Sequence, residues 1–122
     1  MRLEALKFLY DIKGACALLS SFIAGKTFDD FAGDALLRSG VERQLTIVGE
    51  ALNRLIKIEP AMEFVITNAR QIIAFRNILV HGYDIVRTEV VWGILENDLS
   101  ALTREVDALF ASGTSEQEDI EP

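Results

Sequence analysis

The chain has 122 residues, half of them hydrophobic, with a single cysteine, a single histidine and a formal charge of −7. That length suits one domain with a real core. A lone Cys16 excludes an internal disulfide and a Cys/His zinc set, and an acidic balance argues against tight non-specific nucleic-acid binding, which needs several phosphate-neutralising cations.

In chain order the periodicity is helical almost throughout. Ala5, Leu9, Ile12, Cys16, Leu19 and Ile23 alternate spacings of four and three, which predicts a first helix from about Leu3 to Ala24. Gly25 ends it, Gly25 to Gly33 reads as a loop, and Phe28 and Phe31 are expected to tuck back onto the core. Asp34 is a suitable N-cap for a second helix striped by Leu37, Val41, Leu45, Val48, Leu52 and Leu55. Pro60 bars a continuous helix. A third helix starts at Met62 or Thr67, carries Val65, Ala69, Ile72, Ile73 and Leu79, and runs to about His81, with Gly82 as terminator. Thr88 is the expected cap of a fourth helix holding Val91, Leu95, Leu99, Leu102, Val106 and Leu109. Four helices with short connections predict an all-α, antiparallel four-helix bundle.

Ser112 to Pro122 contains four acids and no base, and it lacks large apolar groups apart from Ile120. It therefore reads as a disordered tail carrying −4, which leaves −3 on the domain of residues 1–111. Arg2, Glu4 and Lys7 interrupt the start, so no signal peptide is expected, and no apolar run approaches the roughly 18–20 residues that span a bilayer. A cytoplasmic protein is the simple expectation.

The chemistry concentrates in Arg76-Asn77-Ile78-Leu79-Val80-His81-Gly82-Tyr83. On a helix Arg76 and Tyr83 are about 20° from alignment, and His81 lies roughly 140° round from Arg76. Asn77 and His81 are four apart and adjacent. The four side chains cover one broad polar arc, while Ile78, Leu79 and Val80 face the bundle in part. Cutting RNA without metal needs a base for the 2′-hydroxyl and an acid for the leaving oxygen. Histidine titrates near neutral pH and serves either role. Arginine stays charged and offers a fork of donors to the phosphate. One histidine does not easily do both in one step, so a two-fold dimer bringing two copies of Arg76 and His81 to one cleft is the expected arrangement.

This R-x4-H-x-Y pattern, with Phe75 before it, resembles that of the HEPN ribonucleases, specifically the HepT toxin branch. Three more segments are similar to that family: Leu9-Tyr10-Asp11-Ile12, Ile47-Val48-Gly49-Glu50-Ala51, and Val91 to Leu99 with its Trp92, Ile94, Leu95, Glu96, Asn97 and Asp98. Together they cover about residues 3–110. The loop before the third helix is less proline-rich and less aromatic than usual for the family. The resemblance implies a helical homodimer that cuts RNA, with tRNA as substrate, and the toxin half of a toxin–antitoxin pair. It implies an MntA-like nucleotidyltransferase antitoxin that transfers AMP from ATP onto the motif tyrosine, here Tyr83. ATP is then the partner's substrate, and this chain needs no cofactor. A phenol is a sensible nucleophile, and added AMP would bring bulk and negative charge beside Arg76.

Each residue also admits a plainer reading. His81 at a helix end caps free carbonyls. Arg76 makes a structural ion pair with Glu96 or Asp98. Asn77 orients His81 or satisfies backbone. Tyr83 packs its ring and wets its hydroxyl. Trp92 belongs to the core or a dimer interface, with base stacking the functional alternative. Asp11 and Glu50 sit on a solvated face. Arg43, Arg54, Arg70 and Arg87 extend a phosphate path or are surface charges, with only Arg70 and Arg87 near the motif in sequence. Acidic residues never cluster at metal-site spacing, so no metal is expected. The sequence thus points to a ribonuclease with Arg76 and His81 catalytic, Asn77 supporting and Tyr83 as modification site. The rival is a non-catalytic helical module that docks and regulates a nucleotidyltransferase.

Overall fold

The computed structural model describes residues 1–81 and 88–120, the side chains of 117–120 excepted. The described residues form seven helices and no strand: α1 (Leu3–Ile23), α2 (Phe28–Ala32), α3 (Ala35–Ile58), α4 (Met62–Val65), α5 (Ala69–His81), α6 (Thr88–Asn97) and α7 (Leu99–Ile120). The fold is an all-α bundle. α1 packs on α3 and α7, α3 carries α5, and α6 lies on α2 and α7.

The expected stripes become the core. Leu9, Ile12, Cys16 and Leu19 of α1 meet Val41, Val48, Leu52 and Leu55 of α3, all fully buried, and Val106 of α7 joins them. Burying each Leu or Ile contributes about 1.5–3 kcal/mol relative to exposure. α1 ends at Gly25, whose φ of 71° is the left-handed conformation that a side chain resists. The Asp34 carboxylate accepts from the Leu37 amide at 3.0 Å, as an N-cap should.

Four expectations are corrected. The Gly25–Gly33 loop contains the short α2, started by a reciprocal capping box. The Thr27 amide donates to Asp30 at 2.9 Å, and the Asp30 amide donates to the Thr27 hydroxyl at 3.1 Å. Phe28 and Phe31 do turn inward, against Trp92, with ring centroids 6.4 and 5.3 Å away. The third helix takes the later of its two expected starts and so leaves out Val65: the separate α4 stops at Val65, and α5 begins after Asn68, a non-glycine residue at φ 59°. Asparagine tolerates that conformation better than most side chains. The fourth helix is two pieces, with Asp98 between α6 and α7. Its amide donates to the Ile94 carbonyl and its carbonyl accepts from the Leu102 amide, so hydrogen bonding continues through the break. Thr88 is the first residue of α6 rather than its cap.

The acidic tail departs furthest from expectation. α7 continues to Ile120. Gly113 is buried on Leu6, where a Cβ would come within 2.4 Å of the leucine's methyl. Glu116 pairs with the N-terminal ammonium at 2.7 Å. Composition missed this because the contacts seen here, Gly113 on Leu6 of α1 and Glu116 on the N-terminal ammonium, need no large apolar residue in the tail. No helix among the described residues is long and apolar enough to cross a membrane.

Candidate active site

The motif helix is anchored at both its start and its middle. The Glu105 carboxylate of α7 accepts from the Thr67 amide at 3.0 Å and from its hydroxyl at 2.7 Å, holding the segment that leads into α5. Ala69 and Ile73 are buried, and Ile72, Phe75 and Leu79 pack on the core from one side of α5. Ile78 and Val80 stay exposed, so of the three apolar residues inside the motif only Leu79 anchors it. An apolar cavity of about 240 Å³ lies among α1, α3, α5, α6 and α7, bordered by Ile72 and Phe75.

Arg76 is set by α3. A Cβ on Gly49 would fall 2.2 Å from the Arg76 Cβ and 2.8 Å from its Cγ. Only a glycine lets the two helices approach this closely. The neighbouring residue, Glu50, then faces the guanidinium, its Oε2 lying 3.9 Å from Arg76 Nη2. On the other side Arg76 Nη1 donates to Asn77 Oδ1 at 2.9 Å. Arg76 Nε is buried and finds no hydrogen-bond partner among the described residues. The side chain is 25% exposed. Its stem is held by packing, and part of its donor fork still reaches solvent.

The structural ion pair expected of Arg76 therefore exists with a different carboxylate. Glu96 is exposed on α6, and Asp98 instead accepts from Asn68 at 3.4 Å. Among the described residues the contact of the Asn77 side chain is with Arg76, whose guanidinium its oxygen steers. His81 occupies the last turn of α5 and is exposed, about 7.5 Å along the axis from Arg76. Tyr83 and Arg87 lie outside the described residues. Trp92 is half-buried in the cluster with Phe28 and Phe31, inside this chain.

Arg70, which precedes the motif by six residues, is taken up by Glu63. That pairing holds the Glu63 carboxyl below and the guanidinium above its usual value. Arg54 sits beside the motif instead, with Nη2 3.2 Å from the second oxygen of Glu50. Glu50 and Arg54 line a shallow groove of about 130 Å³ with Lys7, Phe8, Asp11, Ile47 and Ala51. Sequence reading placed Gly49 and Glu50 in a family-like segment without assigning them work. The available signal was an isolated glycine inside a strongly striped helix, which marks a close approach. No group of three or more His, Cys, Asp or Glu able to hold a metal occurs among the described residues.

A cation on a rigid stem, one helical turn and a half before a solvent-facing imidazole, can hold a phosphate beside a group that moves protons. Comparison with known families decides which chemistry this belongs to: the model of the family described as "Ribonuclease HepT-like" matches residues 12–109. The chain belongs to the HepT-like ribonuclease family. A Methanocaldococcus jannaschii protein named "Putative RNase MJ1380" is 29% identical over 100 residues, covering 82% of this chain and 91% of its own. "Probable ribonuclease HepT" of Thermococcus cleftensis is 28% identical over 106 residues, covering 84% and 92%. No solved structure matches the HepT-like chain significantly. The matched span runs from within α1 into α7 and includes the whole of α5 and the Gly49-Glu50 contact that sets Arg76.

Proposed function

We propose that this HepT-like ribonuclease is a metal-independent endoribonuclease that cuts RNA, with tRNA as the substrate class, through a composite site built by two copies of the chain. Arg76 stabilises charge on the scissile phosphate, and His81 serves as acid or base. Asn77 supports the site by fixing the guanidinium. The observation that carries this reading is the Arg76 arrangement: a stem locked against Gly49, with acceptors on both sides. An arginine kept only for stability would gain by closing on its carboxylate, and Glu50 stays 3.9 Å away.

The dimer follows from proton counting, since one imidazole per chain supplies one of the two proton transfers. Ile78 and Val80 support it, because they give the motif helix apolar surface beside its polar arc. Within this reading the chain is the toxin of a toxin–antitoxin pair. A nucleotidyltransferase partner silences it by moving AMP from ATP to the Tyr83 hydroxyl, and this chain itself uses no cofactor.

The test is cleavage of total tRNA by purified protein in EDTA, beside His81→Ala, after intact mass shows Tyr83 unmodified. Cleavage by the parent and none by His81→Ala is expected. Equal behaviour of the two, or an unmodified dimer that leaves tRNA intact, overturns the reading in favour of a module that docks a nucleotidyltransferase.

A further inference from the structure

We propose that Arg54 is a substrate-binding residue, forming with Arg76 a two-cation clamp for consecutive RNA phosphates, and that Glu50 is the positioning residue that sets the pair. This inference rests on the ribonuclease reading and deepens it. The two arginines come from different helices and are 22 residues apart in sequence, yet one carboxylate bridges them. Glu50 Oε1 is 3.2 Å from Arg54 Nη2, and its Oε2 is 3.9 Å from Arg76 Nη2. The guanidinium groups are thus within about 10 Å, one Debye length at 0.1 M salt, and an anion near one feels the other.

An isolated Glu50–Arg54 pair at i,i+4 would be worth only a few tenths of a kcal/mol and would call for no explanation. Three observations point further. Each guanidinium meets Glu50 through one nitrogen only, and although Arg76 Nε is buried and its Nη1 donates to Asn77, most of the remaining donors of the two forks have no partner among the described residues. The cluster of Arg54, Arg76 and Glu50 is net positive in a chain of −7, while Lys7 and Asp11 across the groove offset each other. Three other arginines are occupied elsewhere: Arg70 by Glu63, Arg38 by the carbonyls of Phe31 and Ala32, and Arg104 by the Ser100 hydroxyl.

Glu50 then has a specific task. Its charge costs some phosphate attraction, and in return it holds two long side chains in one direction before RNA arrives. A phosphate entering the clamp replaces the carboxylate as acceptor without either arginine having to search for it.

Two measurements on the full-length protein test this. One is binding of a short single-stranded 2′-O-methyl oligonucleotide, which lacks the attacking hydroxyl, over a salt series. The other is steady-state cleavage of total tRNA. Arg54→Ala is expected to flatten the log K against log salt slope by about 0.7, one phosphate contact on a single strand. It is expected to raise KM roughly 5- to 10-fold with kcat unchanged, as lost uniform binding does. Arg54→Lys keeps the charge and restores the slope. Glu50→Gln, nearly isosteric, lowers kcat about 10-fold while leaving the slope at least as steep. Melting curves of each variant exclude misfolding.

Parent protein that cleaves while Arg54→Ala keeps the parental slope and KM overturns the clamp and leaves the nuclease standing. An unchanged kcat in Glu50→Gln overturns the positioning role. Failure of the parent to cleave, with the slope still lost in Arg54→Ala, refutes the nuclease and retains the clamp as an RNA-binding site. Failure of the parent to bind the oligonucleotide overturns the clamp outright.

Discussion

Gly49→Ala separates the contribution of helix spacing from that of charge at this site. In an ordinary helix interior, glycine to alanine stabilises by about 1 kcal/mol. Here the new Cβ would sit 2.2 Å from the Arg76 Cβ and 2.8 Å from its Cγ, where ordinary contact is 3.4–4 Å. The clash is with the root of the side chain, which rotation about χ1 cannot relieve, so α3 and α5 must part by more than about 1 Å. Overpacking of this kind costs about 1–3 kcal/mol. Set against the propensity gain, the net destabilisation is about 0–2 kcal/mol. The effect on catalysis is larger, because a displacement of about 1 Å at a phosphate-holding group costs roughly 100-fold in rate. Gly14→Ala on α1 is the control, since nothing lies within 4 Å of its Cβ. It should gain close to the full 1 kcal/mol and leave activity alone. Urea unfolding and tRNA cleavage on all three proteins supply the numbers. Gly49→Ala that is as stable as Gly14→Ala, with parental cleavage, would show that the helices do not meet as described and that Arg76 owes nothing to Gly49.

Other substitutions test other joints of the structure. Glu105→Ala removes both acceptors of Thr67 and should cost about 1–2 kcal/mol by denaturant titration, while Glu105→Gln should lose less because one acceptor survives. Hydrogen bonds from the Thr27 amide and hydroxyl hold the Asp30 carboxyl below its usual value. A depressed carboxyl stabilises the fold in full above its unfolded pKa, about 3.9, and loses that contribution as pH falls through the folded value. The melting-temperature gap between the parent and Asp30→Asn should therefore shrink below about pH 4 and persist above it. Burial pushes the Cys16 thiol up to about 11, so a thiol reagent at pH 8 should label native protein only as fast as the fold opens, and immediate labelling would deny the burial.

The parts of the fold that were legible in the sequence are those fixed within one helix. The stripes of α1 and α3, the Asp34 cap and the stop at Gly25 each follow from spacings of three and four or from one local hydrogen bond. α2 escaped because its capping box uses aspartate where glutamate or glutamine is the usual partner, and because five residues are too few to show a period. The breaks at Asn68 and Asp98 escaped because they answer to packing between helices, and the side chains of those two residues meet at 3.4 Å. The site divides in the same way. Arg76, Asn77 and His81 could be grouped from their register on one helix. Which carboxylate meets Arg76 could not, since Glu50, Glu96 and Asp98 are equally acidic, and only the Gly49 contact brings α3 close enough.

The same contact reconciles an acidic chain with the proposed phosphate site. Net charge describes the field far from the molecule, where −7 repels RNA. Beyond about 10 Å at 0.1 M salt that field is screened, and a bound phosphate responds instead to the donors within contact. There the balance is two guanidinium groups against one shared carboxylate. Under the proposed reading such a site attracts a polyanion weakly at a distance and holds a correctly seated phosphate by contact. It is also sensitive to a single added negative group. Under the proposed function, AMP on the Tyr83 hydroxyl acts as a tethered anion with which substrate must compete for the arginines. AMP-modified protein should therefore lose oligonucleotide binding in step with cleavage. Modified protein that still bound RNA with the parental salt slope would show that the modification acts elsewhere than at the Arg54–Arg76 pair.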